Sequence, residues 1–98
     1  MLKIFKPCDF HVHLREGQLL KNVLKENNKN FQKILVMPNL TKPITNKNIL
    51  SKYRSFVLNN NNNTEILFTI YLNQDCSIID LKNMVKEKLF FAAKLYPL

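Results

Sequence analysis

Alternating polar and apolar residues near the amino terminus predict a short β-strand over Asp9–Arg15. Successive side chains of a strand point to opposite faces of its sheet. Phe10, Val12 and Leu14 would therefore lie on one face, where a covering layer can bury them. The opposite face would carry four polar residues: Asp9, His11, His13 and Arg15. Two imidazoles and a guanidinium opposite a buried aliphatic face are unusual, and they mark this stretch as a candidate site.

Helix-spaced apolar residues and short apolar runs alternate along the rest of the chain. The spacing predicts three helices, the first over Gln18–Lys29. The second begins at a Thr45 or Asn46 cap and ends before the loop Asn59–Asn63. The third begins at a capping box formed by Ser77 and Asp80 and ends at about Lys88. The apolar runs predict three more strands: Phe31–Met37, Glu65–Leu72 and Leu89–Leu95, the last ended by Tyr96-Pro97. The alternating order predicts an α/β fold with parallel strands.

Each predicted helix carries one apolar stripe that we expect to face the sheet. The stripes are Leu19, Leu20, Val23 and Leu24; Ile49, Leu50, Tyr53, Phe56 and Val57; and Leu81, Met84 and Val85. Tyr71 and Tyr96 are also expected to pack rather than to take part in chemistry.

Polar residues collect at the predicted carboxyl ends of three strands. His13 and Arg15 end the first strand, Asn39 follows the second, and Lys94 lies near the end of the fourth. In parallel α/β sheets the chemistry sits at the carboxyl ends and in the loops that follow them. The pattern therefore predicts that these side chains form one site.

His11 and His13 have the spacing of two ligands that share a metal ion. Alternate residues of a strand lie roughly 6–7 Å apart, so both rings can converge on one ion at about 2.0–2.1 Å. Each residue also has a plainer interpretation. The histidines can be surface or satisfied core groups, Asn39 a turn residue, Arg15 an ion-pair partner, and Lys94 an ordinary lysine with a buried stem.

Composition narrows the classes of protein that fit. The chain has 98 residues, of which 46% are hydrophobic, so it is one small domain or part of a larger one. The net charge of +8 comes from lysines spread through every segment, and this dispersion argues against a nucleic-acid-binding surface. No apolar run suits a membrane span or a signal peptide. The distant Cys8 and Cys76 suggest a reducing, cytoplasmic setting.

Four segments together resemble dihydroorotase, of the amidohydrolase superfamily, in its single-function bacterial type. They are His11-Val12-His13-Leu14-Arg15, Val36-Met37-Pro38-Asn39-Leu40, Tyr71-Leu72 and Ala92-Ala93-Lys94-Leu95-Tyr96-Pro97. The resemblance runs along essentially the whole chain in the family's order. It implies an incomplete (β/α)8 TIM barrel, with residues 1–98 forming the first three βα units and the fourth strand, and no second domain.

The resemblance also implies roles for the candidate site residues. His11 and His13 match zinc ligands, and Lys94 matches a lysine that CO2 converts to a carbamate bridging two zinc ions. Arg15 and Asn39 match residues that hold the substrate's carboxylate, a role that suits a guanidinium fork and an amide. The implied reaction is the zinc-dependent, reversible cyclisation of N-carbamoyl-L-aspartate to dihydroorotate in pyrimidine biosynthesis. The family suggests a homodimer with two zinc ions per intact site and at most one in this chain.

The chain is too short for the complete barrel that the resemblance implies. Such a barrel takes about 250 residues, and the family places further histidines and an aspartate base on later strands. We therefore expect the 98-residue chain to be a truncated piece that is inactive alone. Two alternatives stay open: a non-catalytic remnant or assembly partner, and another cyclic-amide hydrolase of the hydantoinase or allantoinase kind. The latter has no need of the carboxylate clamp formed by Arg15 and Asn39.

Overall fold

The computed structural model describes residues 6–61 and 63–95, and strands and helices alternate throughout this part of the chain. The elements are β1 (Cys8–Val12), α1 (Gly17–Asn30), β2 (Lys33–Val36), α2 (Lys47–Asn59), β3 (Glu65–Leu72), α3 (Ile78–Lys86) and β4 (Ala92–Leu95). The four strands form one parallel sheet in the order β1-β2-β3-β4. The predicted α/β order and parallel direction are confirmed.

The ends of several elements differ from the prediction. Only the third strand has the predicted bounds. β1 ends at Val12 because the chain turns at Arg15, where φ is 67°, a left-handed conformation that no strand contains. β4 begins at Ala92, since α3 is followed by a left-handed residue, Lys88, and a short connection. The predicted strand end at Tyr96-Pro97 lies outside the described residues.

The hydrophobic core lies between one face of the sheet and the helices. Strands β2 and β3 contribute alternate residues, as a period of two requires, and each helix contributes one stripe. The buried members are Val12, Leu14, Leu20, Leu24, Ile34, Val36, Ile44, Leu50, Tyr53, Val57, Phe68, Ile70 and Met84. The packing of this layer holds the strands in one register, so their carboxyl ends lie together.

Some apolar residues lie outside this core. Phe10 is 57% exposed and Val85 is 60% exposed, so the predicted burial of both side chains is wrong. Phe10 lies on β1, at one edge of the sheet, and no described helix covers it. Val85 and Leu19 show that the apolar stripes of α3 and α1 are wider than the surface that contacts the sheet. None of the described helices is both long enough and apolar enough to cross a membrane.

Polar side chains define where two of the helices begin. The side chain of Asn46 accepts a hydrogen bond from the backbone N–H of Ile49 at 2.9 Å and caps α2. Ser77 accepts from the N–H of Asp80 at 3.3 Å and caps α3. The Asp80 carboxylate accepts from the N–H of Lys47 at 2.7 Å instead of completing the predicted capping box. It therefore ties the start of α3 to the start of α2.

Two isoleucines provide a matched test of this core. Ile70 is fully buried in β3, whereas Ile79 is 74% exposed on α3. Ile70→Ala should lower the free energy of unfolding by about 2–5 kcal/mol, because it removes buried methyl groups and leaves a cavity. Ile79→Ala should change it by less than about 0.5 kcal/mol. Urea unfolding followed by circular dichroism measures both, and equal effects of the two variants would contradict the core described above.

Candidate functional site

The two histidine rings at the end of β1 converge. Their Nε2 atoms lie 3.2 Å apart, and the ring centroids are 5.0 Å apart. The register of β1 against β2 shifts between Asp9 and Val12, and such an irregularity changes the direction of side chains. Asp9 accepts a hydrogen bond from the N–H of His11 at 3.0 Å and helps to hold this irregular stretch. The structure thus brings the rings of His11 and His13 close together, as the sequence predicted.

The separation of the two Nε2 atoms suits a shared metal ion. Two nitrogens bound at about 2.0–2.1 Å in tetrahedral geometry lie about 3.3 Å from each other, which is close to the 3.2 Å between His11 and His13. Among residues 6–61 and 63–95, no three His, Cys, Asp or Glu side chains are grouped to hold a metal ion. Among the described residues, His11 and His13 are therefore a pair of possible metal ligands without a third His, Cys, Asp or Glu beside them.

The surroundings of His13 favour its neutral form. Burial lowers the pKa of His13 below its ordinary value, and the positive charges of Arg15, His11 and Lys94 lower it further. Its Nδ1 atom is buried and has no hydrogen-bond partner among the described residues. Because a metal ion binds imidazole only in its neutral form, His13 is held in the state that a ligand requires.

Lys94 approaches the histidines from the opposite edge of the sheet. It is the third residue of β4 and pairs with Tyr71 of β3. Its Nζ lies 3.5 Å from Sδ of Met37, a buried residue that directly follows β2. The positive charge of Lys94 also lowers the pKa of His13, although less than burial, Arg15 and His11 do. The ends of β2 and β4 thus meet through Met37 and Lys94, although the residue predicted to represent the second strand was Asn39.

Arg15 and Asn39 line the same cavity beside this cluster. The cavity has a volume of about 270 Å³ and is lined by Arg15, Glu16, Leu19, Asn39, Leu40 and Thr41. The side-chain oxygen of Asn39 is buried without a hydrogen-bond partner among the described residues, and only the NH2 group of this amide could donate to a carboxylate. A guanidinium and an amide in one small cavity are donors that suit a carboxylate. The structure thus brings the two predicted carboxylate-binding residues together.

Two hydroxyl groups were not predicted as part of the site. Thr69 of β3 is buried, and its hydroxyl has no partner among the described residues. It lies on the same face as Lys94, because Thr69 pairs with Ala92 and Tyr71 pairs with Lys94 in one parallel register. A polar residue within a nearly continuous apolar strand was the available signal for Thr69.

The second hydroxyl belongs to Tyr53, which the helical pattern assigned to the core. Its ring is buried as predicted, and its hydroxyl donates a hydrogen bond to the backbone carbonyl of Arg15 at 3.0 Å. Burial and the negative charge of Glu16 raise the pKa of Tyr53. The signal in the sequence was a tyrosine where phenylalanine would fill the same space, since a buried tyrosine usually finds a partner for its hydroxyl.

The chain is similar to dihydroorotases along almost its whole length. It is 36% identical over 96 residues to the dihydroorotase of Helicobacter acinonychis (strain Sheeba). It is 39% identical over 100 residues to that of Salmonella heidelberg (strain SL476). These matches cover 98% and 99% of this chain but only 28% and 29% of the relatives, so the chain spans under a third of their length. The chain matches no protein-family model.

A solved structure shows the same fold. The crystal structure of dihydroorotase from Saccharomyces cerevisiae, in complex with 5-fluoroorotic acid, superposes with a TM-score of 0.86 at 28% sequence identity. The superposition covers 95% of this chain and 26% of the yeast chain. The predicted resemblance to dihydroorotase and the predicted partial barrel are confirmed. The roles of individual site residues stay predictions.

The charge of Arg15 can be tested through the titration of His13. Arg15→Gln should raise the pKa of His13 toward its ordinary value of 6.5, because removing a nearby cation makes the imidazolium less costly. The pKa should stay below 6.5, since burial remains the largest cause of the shift. NMR titration of the ring protons in the metal-free chain measures it. The control Lys25→Gln removes an exposed charge on α1 and should change nothing. An unchanged pKa in Arg15→Gln would contradict the arrangement.

Proposed function

We propose that this chain is part of a dihydroorotase, the enzyme that interconverts N-carbamoyl-L-aspartate and dihydroorotate in pyrimidine biosynthesis. The observation that carries the proposal is the grouping of two converging imidazoles and a lysine amine beside a cavity with carboxylate-binding donors. The similarity to dihydroorotases along the chain supports the same conclusion. The activity is that of the whole enzyme, whose relatives are more than three times as long as this chain.

Zinc fits the donors that the fold brings together. His11 and His13 would hold one ion through their Nε2 atoms, which lie 3.2 Å apart. When bound, zinc polarises a carbonyl group and lowers the pKa of a water molecule. Further ligands belong to the rest of the intact site, which would hold two ions. We therefore expect at most one in this chain.

Lys94 needs chemical modification before it can serve as a ligand. An ammonium group has three donors and no lone pair to offer a metal. Reaction of the neutral amine with CO2 would form a carbamate and release a proton, and the product would carry one negative charge shared by two oxygens that could serve as metal ligands. The position of the Lys94 amine near His13 supports this role.

Arg15 and Asn39 would bind the carboxylate of the substrate. Their shared cavity lies at the same end of the sheet as the imidazoles, because both follow the carboxyl ends of parallel strands. A carboxylate held there would orient the ring carbonyl or carbamoyl group of the substrate toward His11 and His13. This anion site favours dihydroorotase over a hydantoinase-like hydrolase, whose substrates do not require it.

The resemblance extends the proposal to the setting of the enzyme. We propose that the intact protein is a homodimer in the cytoplasm and that its substrate is the free small molecule. The supporting observation is the distance between Cys8 and Cys76 in the sequence, a pattern that suggests a reducing compartment.

Zinc binding provides the first test of the metal ligands. The purified chain should bind about one zinc ion through its two imidazoles, and His11→Ala or His13→Ala should abolish binding. The double variant Cys8→Ser/Cys76→Ser controls for binding by thiols and should keep the ion. Metal analysis gives the stoichiometry, and native mass spectrometry in bicarbonate detects the Lys94 carbamate. A cooperatively folded chain that binds no zinc would contradict the assigned ligands.

Orotate, a pyrimidine that carries a carboxylate, provides a test of the anion site. Arg15→Ala should weaken its binding at least about tenfold, the effect of losing hydrogen bonds between charged groups. Asn39→Ala should weaken binding less, because its amide is neutral. Lys42→Ala removes an exposed cation from the same loop region and is the matched control. Ligand-observed NMR measures the affinities. Equal losses in Arg15→Ala and Lys42→Ala would indicate general charge attraction and contradict a specific clamp.

A further inference from the structure

The backbone of Arg15 has an unfavourable conformation that the surrounding structure must hold. Its φ of 67° lies in the left-handed region, which residues with a Cβ atom seldom adopt. The preceding residue, Leu14, is fully buried, and α1 begins two residues later at Gly17. The turn is therefore short and anchored at both ends. Strained residues of this kind persist where other contacts determine their conformation, and they concentrate at functional sites.

One contact that holds this turn comes from α2, which is distant in the sequence. The hydroxyl of Tyr53 donates to the carbonyl of Arg15 at 3.0 Å across 38 residues. The aromatic ring of Tyr53 is buried and lies edge-on to Phe68 of β3, with ring centroids 6.4 Å apart. Because the ring is fixed in the core, its hydroxyl is a rigid point of attachment. Its raised pKa keeps the hydroxyl protonated, so it remains a donor.

We propose that Tyr53 is a positioning residue for the carboxylate site. Its hydrogen bond to the Arg15 carbonyl would hold the turn that presents Arg15 to the cavity shared with Asn39. This inference rests on the proposed function, since it assumes that Arg15 binds the substrate's carboxylate. It adds a residue on α2 to a site otherwise made from the ends of strands. Tyr53 does not line the 270 Å³ cavity, so it would act through the backbone of Arg15.

Proteolysis tests the effect on the turn without any ligand. An arginine-specific protease has only two sites in the chain, after Arg15 and after Arg54. Arg54 lies within α2, so cleavage there reports general unfolding. Tyr53→Phe should accelerate cleavage after Arg15 about five- to tenfold relative to cleavage after Arg54, as expected for the loss of one hydrogen bond. Because residue 53 directly precedes Arg54, each rate is divided by the rate at the same site in the urea-unfolded variant. Tyr71→Phe makes the same chemical change in β3 and should leave the ratio unaltered. An unchanged ratio in Tyr53→Phe would overturn the proposal.

Orotate binding tests the consequence for the site. Tyr53→Phe should raise the Kd for orotate several-fold and leave zinc binding at His11 and His13 unchanged, because only the Arg15 turn is released. Faster cleavage after Arg15 with an unchanged Kd would also overturn the proposal, since Tyr53 would then hold the turn without serving the ligand. Parallel losses of orotate and zinc would indicate general destabilisation and overturn it as well.

The same measurements separate this inference from the proposed function. If the unmodified chain binds zinc but not orotate, and Arg15→Ala makes no difference, the assigned carboxylate site itself is wrong. In that case the role of Tyr53 in ligand binding fails together with it, whatever the cleavage ratio. If orotate binding depends on Arg15 but not on Tyr53, the proposed function stands and only the positioning role fails.

Discussion

The register of the four parallel strands determines where every candidate site residue lies. Alternate residues of β2 and β3, such as Val36 and Phe68, are buried against the helices, and a shift of one residue would turn them to the other face. Because that burial fixes the register, the residues that follow β1 and β2 and those that end β4 meet at one edge of the sheet. Met37 and Lys94 are neighbours for this reason, although 57 residues separate them in the sequence.

Within this frame, the end of β1 carries residues that we propose for two different chemistries, metal binding and anion binding. The irregular register between Asp9 and Val12 turns both rings toward a common point. The left-handed turn at Arg15 then takes the chain out of the sheet, and Arg15 lines a cavity that the two histidines do not line. A regular strand would have carried His13 and Arg15 on the same face. The departure from regularity separates His13 from Arg15, so a proposed metal ligand and a proposed anion-binding residue can face different surroundings.

Positive charge at this edge is costly unless anions occupy it. Arg15, Lys94 and the imidazoles lie close enough to disfavour protonation of His13. Such an arrangement is suited to an anionic substrate, and a carbamate on Lys94 would replace one of the cations with an anion. The two edge strands, β1 and β4, also carry exposed apolar side chains, Phe10 and Leu95. The chain spans 28% of the length of the Helicobacter acinonychis relative.

Local sequence determined the kinds of elements, because apolar periods of two and of about 3.6 residues distinguish strands from helices. It also determined the candidate site, because residue type and position at the strand ends identify its members. They are His11, His13, Arg15, Asn39 and Lys94. Tertiary structure alone decided the short end of β1, the exposure of Phe10 and the attachment of Arg15 to the hydroxyl of Tyr53. Each of these depends on a partner tens of residues away or on which surfaces are covered. A residue's type and near neighbours carry no information about such contacts, which arise only when the whole sheet and its helices pack.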